Sequence, residues 1–152
     1  MIPEIGHFCL ILALCLAVAQ AFFGLAGPLS GRHSWTAITR PAATGQFVFV
    51  AIAFGFLVHA FVVNDFSVTY VASNSNTELP LMYRISAVWG AHEGSLLLWT
   101  LMLSIWTVAV AFFSRHLPEK LANTVLGVLG LVTIGFLWFT LATSNPFDRL
   151  IP

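Results

Sequence analysis

Residues 5–25 read IGHFCLILALCLAVAQAFFGL, and that run decides the fold class. It carries no formal charge, and His7 and Gln20 are its only strongly polar side chains. A membrane-crossing helix needs about 20 predominantly apolar residues, because backbone groups in hydrocarbon must be satisfied within their own segment. The preceding Met1-Ile2-Pro3-Glu4 holds an acid and no basic side chain. A removable secretory signal has a basic start and a shorter apolar core, so a retained helix is expected. Three further stretches qualify as spans: Gly45–Val63, Ser86–Phe113 and Leu121–Thr143. The third is longer than a bilayer requires, so it is expected to tilt or to project its first turns.

The composition agrees. The chain has 152 residues, 59% hydrophobic and 8% charged, with a mean hydropathy of +0.91. A soluble domain carries about 25% charged residues. The expectation is therefore an all-α, polytopic membrane protein, residues 1–152 forming a single transmembrane bundle of four helices and packing against membrane lipid. Zero net charge excludes a nucleic-acid partner, which needs a basic stripe to displace counterions. Cys9 and Cys15 lie inside the first run and act as small hydrophobes; no cysteine or histidine spacing announces a metal site.

Punctuation falls between the spans: Pro28, Gly31 and Pro41, then Asn74-Ser75-Asn76 and Pro80, then Pro118, and Asn145-Pro146 at the end. The connection 28–44 holds Arg32 and Arg40, and 114–120 holds Arg115 and Lys120. Across the membrane lie Arg84, in the loop 64–85, and Arg149. The positive-inside rule puts the first two connections in the cytoplasm. Both termini and the loop 64–85 are then outside, on the non-cytoplasmic side.

The outer loop is partly apolar. Phe66, Val68 and Tyr70 alternate with Ser67 and Thr69, which reads either as a docking surface or as a lid packed on the bundle. Gly90, His92, Glu93, Gly94 and Ser95 cluster where the third span begins, flanked by Trp89 and Trp99. His92, Trp99 and Trp106 recur every seven residues and share a helix face. That pattern suits contact with a flat, greasy cofactor such as heme; it equally suits an interfacial aromatic belt over a capped helix start. Glu93 fits a dipole-stabilised carboxylate. His59, in the second span, is a candidate intramembrane ligand or proton carrier, or a boundary residue reaching the headgroups. Gln20 is expected to make an interhelical hydrogen bond. Gly127, Gly130 and Gly135 suggest close helix contact, or simply the abundance of glycine in membrane helices. His7, His33 and His116 receive no role. No HExxH, GxSxG, P-loop or intramembrane carboxylate pair is present, so no catalytic residue is assigned.

Several segments resemble the amino-terminal region of the CcmF family, the heme lyase subunit of bacterial system I cytochrome c maturation. They are MIPEIGH at 1–7, Asp65-Phe66-Ser67-Val68 with Tyr70-Val71-Ala72, Asn74-Ser75-Asn76, Trp89-Gly90-Ala91-His92-Glu93-Gly94-Ser95-Leu96-Leu97-Leu98-Trp99, and Ser144-Asn145-Pro146-Phe147. The resemblance implies a multi-pass protein of the bacterial inner membrane working on its periplasmic face. It implies receipt of heme from the heme chaperone CcmE and its attachment to apocytochrome c, with CcmH-type and CcmI-type partners. It further implies a b-type heme besides the heme substrate, with ligands outside this chain. On this reading His92, Trp89 and Trp99 are candidate heme contacts, and Asn74, Asn76, Tyr83, Gly90, Glu93 and Ser95 are candidate partner-binding residues. Ala91 stands where the family pattern has glycine. The chain matches about the first quarter of the family, as a fragment or split-gene product would, and Asp148-Arg149-Leu150-Ile151-Pro152 adds no terminal docking element. Two other functions stay open: a transporter subunit for heme or another small molecule, and a purely structural bundle within a complex. A transporter would show broken helices or paired polar groups near midplane; a structural bundle would tolerate replacement of His92 and Glu93.

Overall fold

In a computed structural model, which describes residues 1–150, every apolar run is helical. Ile151 and Pro152 of the terminal segment lie outside the described residues. The long helices are α1 (Ile2–Ser30), α2 (His33–Val62), α5 (His92–Phe113) and α6 (Glu119–Thr143); α3 (Thr69–Asn74) and α4 (Leu81–Ala87) are short. All four long helices are long and apolar enough to cross a membrane. Neighbours in sequence run antiparallel, and α6 closes back onto α1. The connections Gly31–Arg32 and 114–118 therefore mark one end of the bundle, the hairpin end. Residues 64–91 and both termini mark the other, the terminal end.

The packing is small inside and large outside. Along α1 the buried positions Gly6, Cys9, Ala13, Ala17, Gln20, Gly24 and Gly27 recur every three or four residues, while Phe8, Ile11, Val18 and Phe22 point outward. A stripe of small residues lets helix backbones approach, and lipid accepts the large side chains. A Cβ on Gly24 would lie 2.7 Å from Gly127 Cα, and one on Gly130 would lie 2.9 Å from the Ala21 nitrogen. Gly135 has open space around it. The close-contact reading thus holds for Gly127 and Gly130, and Gly135 is an ordinary membrane glycine. Beside the glycine contact, Gln20 Nε2 donates to the Leu126 carbonyl at 2.7 Å, the expected interhelical bond.

Two expectations need correction. Residues 28–44 are not a connection: only Gly31 and Arg32 separate α1 from α2. Gly31 takes the left-handed conformation that ends α1 (φ 68°), which costs glycine nothing sterically. Pro41 sits inside α2, where it removes one backbone donor. The loss is tolerated because Thr36, Thr39, Ala42 and Ala43 around it are buried against neighbouring helices. The hairpin end is also tied by Glu119, whose Oε1 accepts from the Thr36 hydroxyl at 2.6 Å and lies 3.1 Å from His33 Nδ1. That contact accounts for an acid on the otherwise basic side. Second, residues 86–113 are not one helix. The chain breaks between Ala87 and His92, so the stretch neither tilts nor projects as a single rod.

Replacing Gly127 by leucine should lower stability by about 1–3 kcal/mol or more through overpacking. Gly135→Ala should leave it unchanged or raise it by up to about 1 kcal/mol. Thermal unfolding of the two variants in one detergent checks the contrast.

Candidate functional site at the terminal end

α2 ends in a Schellman closure: Asp65 N–H donates to the Ala60 carbonyl and Asn64 N–H to Phe61. Asn64 adopts a left-handed conformation (φ 53°), which asparagine tolerates better than most residues. The chain then turns inward rather than skirting the surface. Val68, Tyr70 and Val71 are buried, so this part of the loop packs on the bundle as a lid, while Phe66, Leu81, Met82 and Tyr83 face out beside Ser67 and Thr69. Arg84 holds its underside together. Its guanidinium donates to the Leu79 (2.9 Å), Thr77 (3.1 Å) and Val62 (3.3 Å) carbonyls.

The break before α5 is fixed by one close approach. A Cβ on Gly94 would lie 1.6 Å from the Val88 carbonyl oxygen and 2.6 Å from the Tyr70 hydroxyl. The Tyr70 hydroxyl donates to that same Val88 oxygen at 2.8 Å. Its ring meets Phe61 edge-on, with centroids 5.3 Å apart. Burial pushes the Tyr70 phenol above its usual value, with the nearby Glu93 charge acting the same way and the Ala91 and Gly94 backbone opposing. Across the break, the Ser95 hydroxyl donates to the Trp89 carbonyl at 2.7 Å. Ala91 is extended at the helix cap (φ −130°, ψ −178°), a conformation open to alanine as well as glycine.

The segment after α6 then crosses the lid. Ser144 Oγ lies 3.0 Å from His92 Nδ1, a hydrogen bond whose donor depends on the ring tautomer. The His92 ring also meets Phe139 edge-on. Asn145 Oδ1 accepts from Phe147 N–H, which turns its amide nitrogen toward His7. Asn145 Nδ2 donates to His7 Nδ1 at 2.8 Å, placing the proton of neutral His7 on Nε2. Phe147 is buried against Gly6. Thr69 N–H donates to the Asp148 carbonyl and Leu150 N–H to Ser67, each at 2.9 Å. Arg149 reaches Glu4 (Nε to Oε1, 2.8 Å) and the Ser67 hydroxyl.

The candidate residues divide between this knot and the exterior. Glu93, Gly94 and Ser95 belong to the knot; His92 joins it through Ser144 but is itself exposed, as are Trp89 and Gly90 beside it. Trp99 and Trp106 stand on the outer flank of α5, 63% and 69% exposed. Asn74 and Asn76 serve local turns: Asn74 Nδ2 donates to the Tyr70 carbonyl, and Asn76 Oδ1 accepts from the Glu78 and Leu79 amides. Tyr83 is free on the exposed face of α4. His59 lines an exterior groove of about 480 Å³ with Ile2, Ile52, Gly55 and Phe56. A heme needs a slot walled on both faces, and among the described residues none covers the exposed Trp99 and Trp106. The described residues therefore do not form a heme pocket by themselves. Composition and spacing gave no role to His7 or Ser144 at this end and only a place in an alternating loop to Tyr70; all three stand in segments quoted for the resemblance.

No family model matches the chain. Over all 152 residues it is 59% identical to the cytochrome c-type biogenesis protein CcmF of Pseudomonas aeruginosa, and it is 54% identical to CcmF of Escherichia coli. The chain is CcmF-family sequence from end to end. It spans 23% and 24% of those two curated relatives, about a quarter of their length. Its backbone matches a solved "Cytochrome c Heme Lyase CcmF" with a TM-score of 0.92 and 29% identity, over 99% of this chain and 25% of that one. CcmF-type segments quoted from the sequence, far apart along the chain, meet at one place: Gly6 and His7 with residues 145–147, Ser144 with His92, Tyr70 with Gly94.

Tyr70→Phe leaves the Val88 carbonyl without this donor and should cost about 1–3 kcal/mol of local stability. A phenol raised by folding contributes stability that is full below its ordinary value, about 10, and lost as pH rises through the folded value. Thermal stability in detergent should therefore fall above about pH 10 more steeply in the parent than in Tyr70→Phe.

Proposed function

We propose that this chain is the membrane-embedded amino-terminal part of a CcmF-type cytochrome c maturation factor, and that it displays a docking platform for the heme-bearing partner. In this reading the bundle lies in the bacterial inner membrane, residues 1–152 forming one transmembrane unit with its terminal end in the periplasm. Charge supports that orientation. Arg32, Arg115 and Lys120 lie exposed at the hairpin end, whereas Arg84 and Arg149 at the terminal end are engaged by carbonyls and by Glu4. The observation that carries the proposal is the convergence of the CcmF-type segments on the knot around His92 and Gly94.

The platform would consist of the knot, with Trp89, Gly90, Glu93 and Ser95, the adjoining face of α4 with Tyr83, and the turns shaped by Asn74 and Asn76. Its partners would be the heme chaperone CcmE and apocytochrome c, with CcmH-type and CcmI-type subunits alongside. Trp89, Trp99 and His92 would line one side of the path that heme takes. The opposite wall and the axial ligands, both for a b-type heme and for the heme substrate, would come from the remainder of a full-length protein. His59 would face lipid or that remainder, and no chemical step is assigned to it. The chain contributes position and no catalytic group.

A peroxidase heme stain of denatured c-type cytochromes tests this, with the protein quantified in membranes by immunoblot. Deleting the gene should abolish the stained bands. His92→Ala, Ser144→Ala and Trp99→Ala should each reduce them strongly at normal protein levels. Full staining after deletion, in a strain without a second copy, would refute the maturation role. Full staining in all three point variants would make the tract scaffold only, as in a purely structural bundle.

A further inference from the structure

The hairpin end holds a groove that the proposed function leaves unused. It lies between α2 and α5, has a volume of about 490 Å³, and is bounded by Arg40, Thr44, Val48, Phe49, Phe112 and Arg115. This is within the roughly 300–1,000 Å³ of small-molecule sites. Its walls are apolar except for the Thr44 hydroxyl and the two guanidiniums. Arg40 is half-buried and donates to the Ala111 carbonyl at 2.7 Å, which holds it at the groove with its other donors free. Arg115 lies over the Phe112 ring, 5.1 Å from the centroid. Neither arginine has a carboxylate partner among the described residues. The neighbouring basic groove, around Arg32, His33 and Lys120, differs because Glu119 lines it and offsets its charge.

Depth points to the ligand. Arg40 lies seven residues into α2, about 10 Å along the axis at 1.5 Å per residue. Its bond to Ala111 sets it level with the last turn of α5. Two unpaired guanidiniums at the level where an apolar span ends, above an apolar groove running into the membrane, match a phosphate carrying acyl chains. We propose that this groove binds an anionic phospholipid of the phosphatidylglycerol type. Arg40 and Arg115 take the phosphate, by the paired N–H geometry that suits guanidinium to phosphate. Thr44 hydrogen-bonds the headgroup, and an acyl chain lies along Val48, Phe49 and Phe112. The site needs only a membrane leaflet at the hairpin end, so it stands whether or not the orientation and the maturation role do.

Native mass spectrometry of the intact protein, purified from its membrane and delipidated in detergent, tests the site by titration with phosphatidylglycerol or phosphatidylcholine. The expected result is one saturable adduct preferring phosphatidylglycerol by roughly tenfold or more, as two arginines at a membrane surface can supply. Arg115→Gln should reduce that preference several-fold. Its side chain is exposed and makes no hydrogen bond among the described residues, so the variant should fold normally. Arg40→Gln with Arg115→Gln should abolish the preference, and Arg32→Gln should keep it. Equal uptake of both lipids by the parent, as when another helix of a longer protein fills the groove, would overturn the proposal. So would an unchanged preference in Arg115→Gln, an equal loss in Arg32→Gln, or displacement of the lipid by millimolar glycerol phosphate, which would make the site one for free phosphate.

Discussion

The terminal end of this molecule is organised by the approach of the Val88 carbonyl to the Cα of Gly94. No side chain can be accommodated there, and the carbonyl is buried, so it needs a donor from elsewhere. Tyr70 provides one by reaching in from the lid, which obliges Val68 and Val71 to pack beneath it. The lid then has a fixed height above the bundle, and the segment after α6 can pair with its outer edge through Thr69 and Ser67. His92, first residue of the helix that begins after the break, is thereby held beside Ser144 rather than at the mouth of an open channel. A single backbone contact thus decides where the family's most recognisable segment stands.

The rest of the bundle obeys a different economy. Lipid solvates leucine as well as a protein core does, so burying large apolar side chains gains little between membrane helices. What remains is close backbone contact, hence Gly24 on Gly127 and Gly130 on Ala21, with Gln20 hydrogen-bonded beside them. Large aromatic and branched residues go outward. The same logic applies to α5, whose tryptophans face away from the four helices seen here. The matched CcmF proteins are about four times longer than this chain, and such a flank is the natural place for further helices to pack.

The four helices were legible because hydropathy over 20 residues integrates a strong signal, and no nearby competitor exists for an uncharged run such as 5–25. The connections were harder. Pro28 and Pro41 looked like punctuation, but proline ends a helix only where the freed backbone groups and the displaced ring find no compensation. Packing between α1 and α2 outweighs that loss, which no local rule reports. The break at 88–91 was hidden for the opposite reason. Val88 and Trp89 read as continuous apolar helix, and the glycine whose missing side chain demands the break lies six residues beyond Val88. The site was visible as a cluster of residue types around His92. Its partners Ser144, Asn145 and His7 were not, because contacts spanning 52 and 138 residues leave no trace in spacing. Asn74 Nδ2 and Asn76 Oδ1 also hold their own turns, a local role that spacing does not report.

The two-residue connection between α1 and α2 has a consequence for how the protein enters its membrane. Gly31 and Arg32 span only about 7 Å even when fully extended, so neither helix can settle at a depth of its own. The two are therefore set as a pair, and the polar Gln20 of α1 finds its partner, the Leu126 carbonyl, only when α6 packs on. The levels of Glu4 and Asn64, at the same end of the bundle, are then tied to each other before the third span is added.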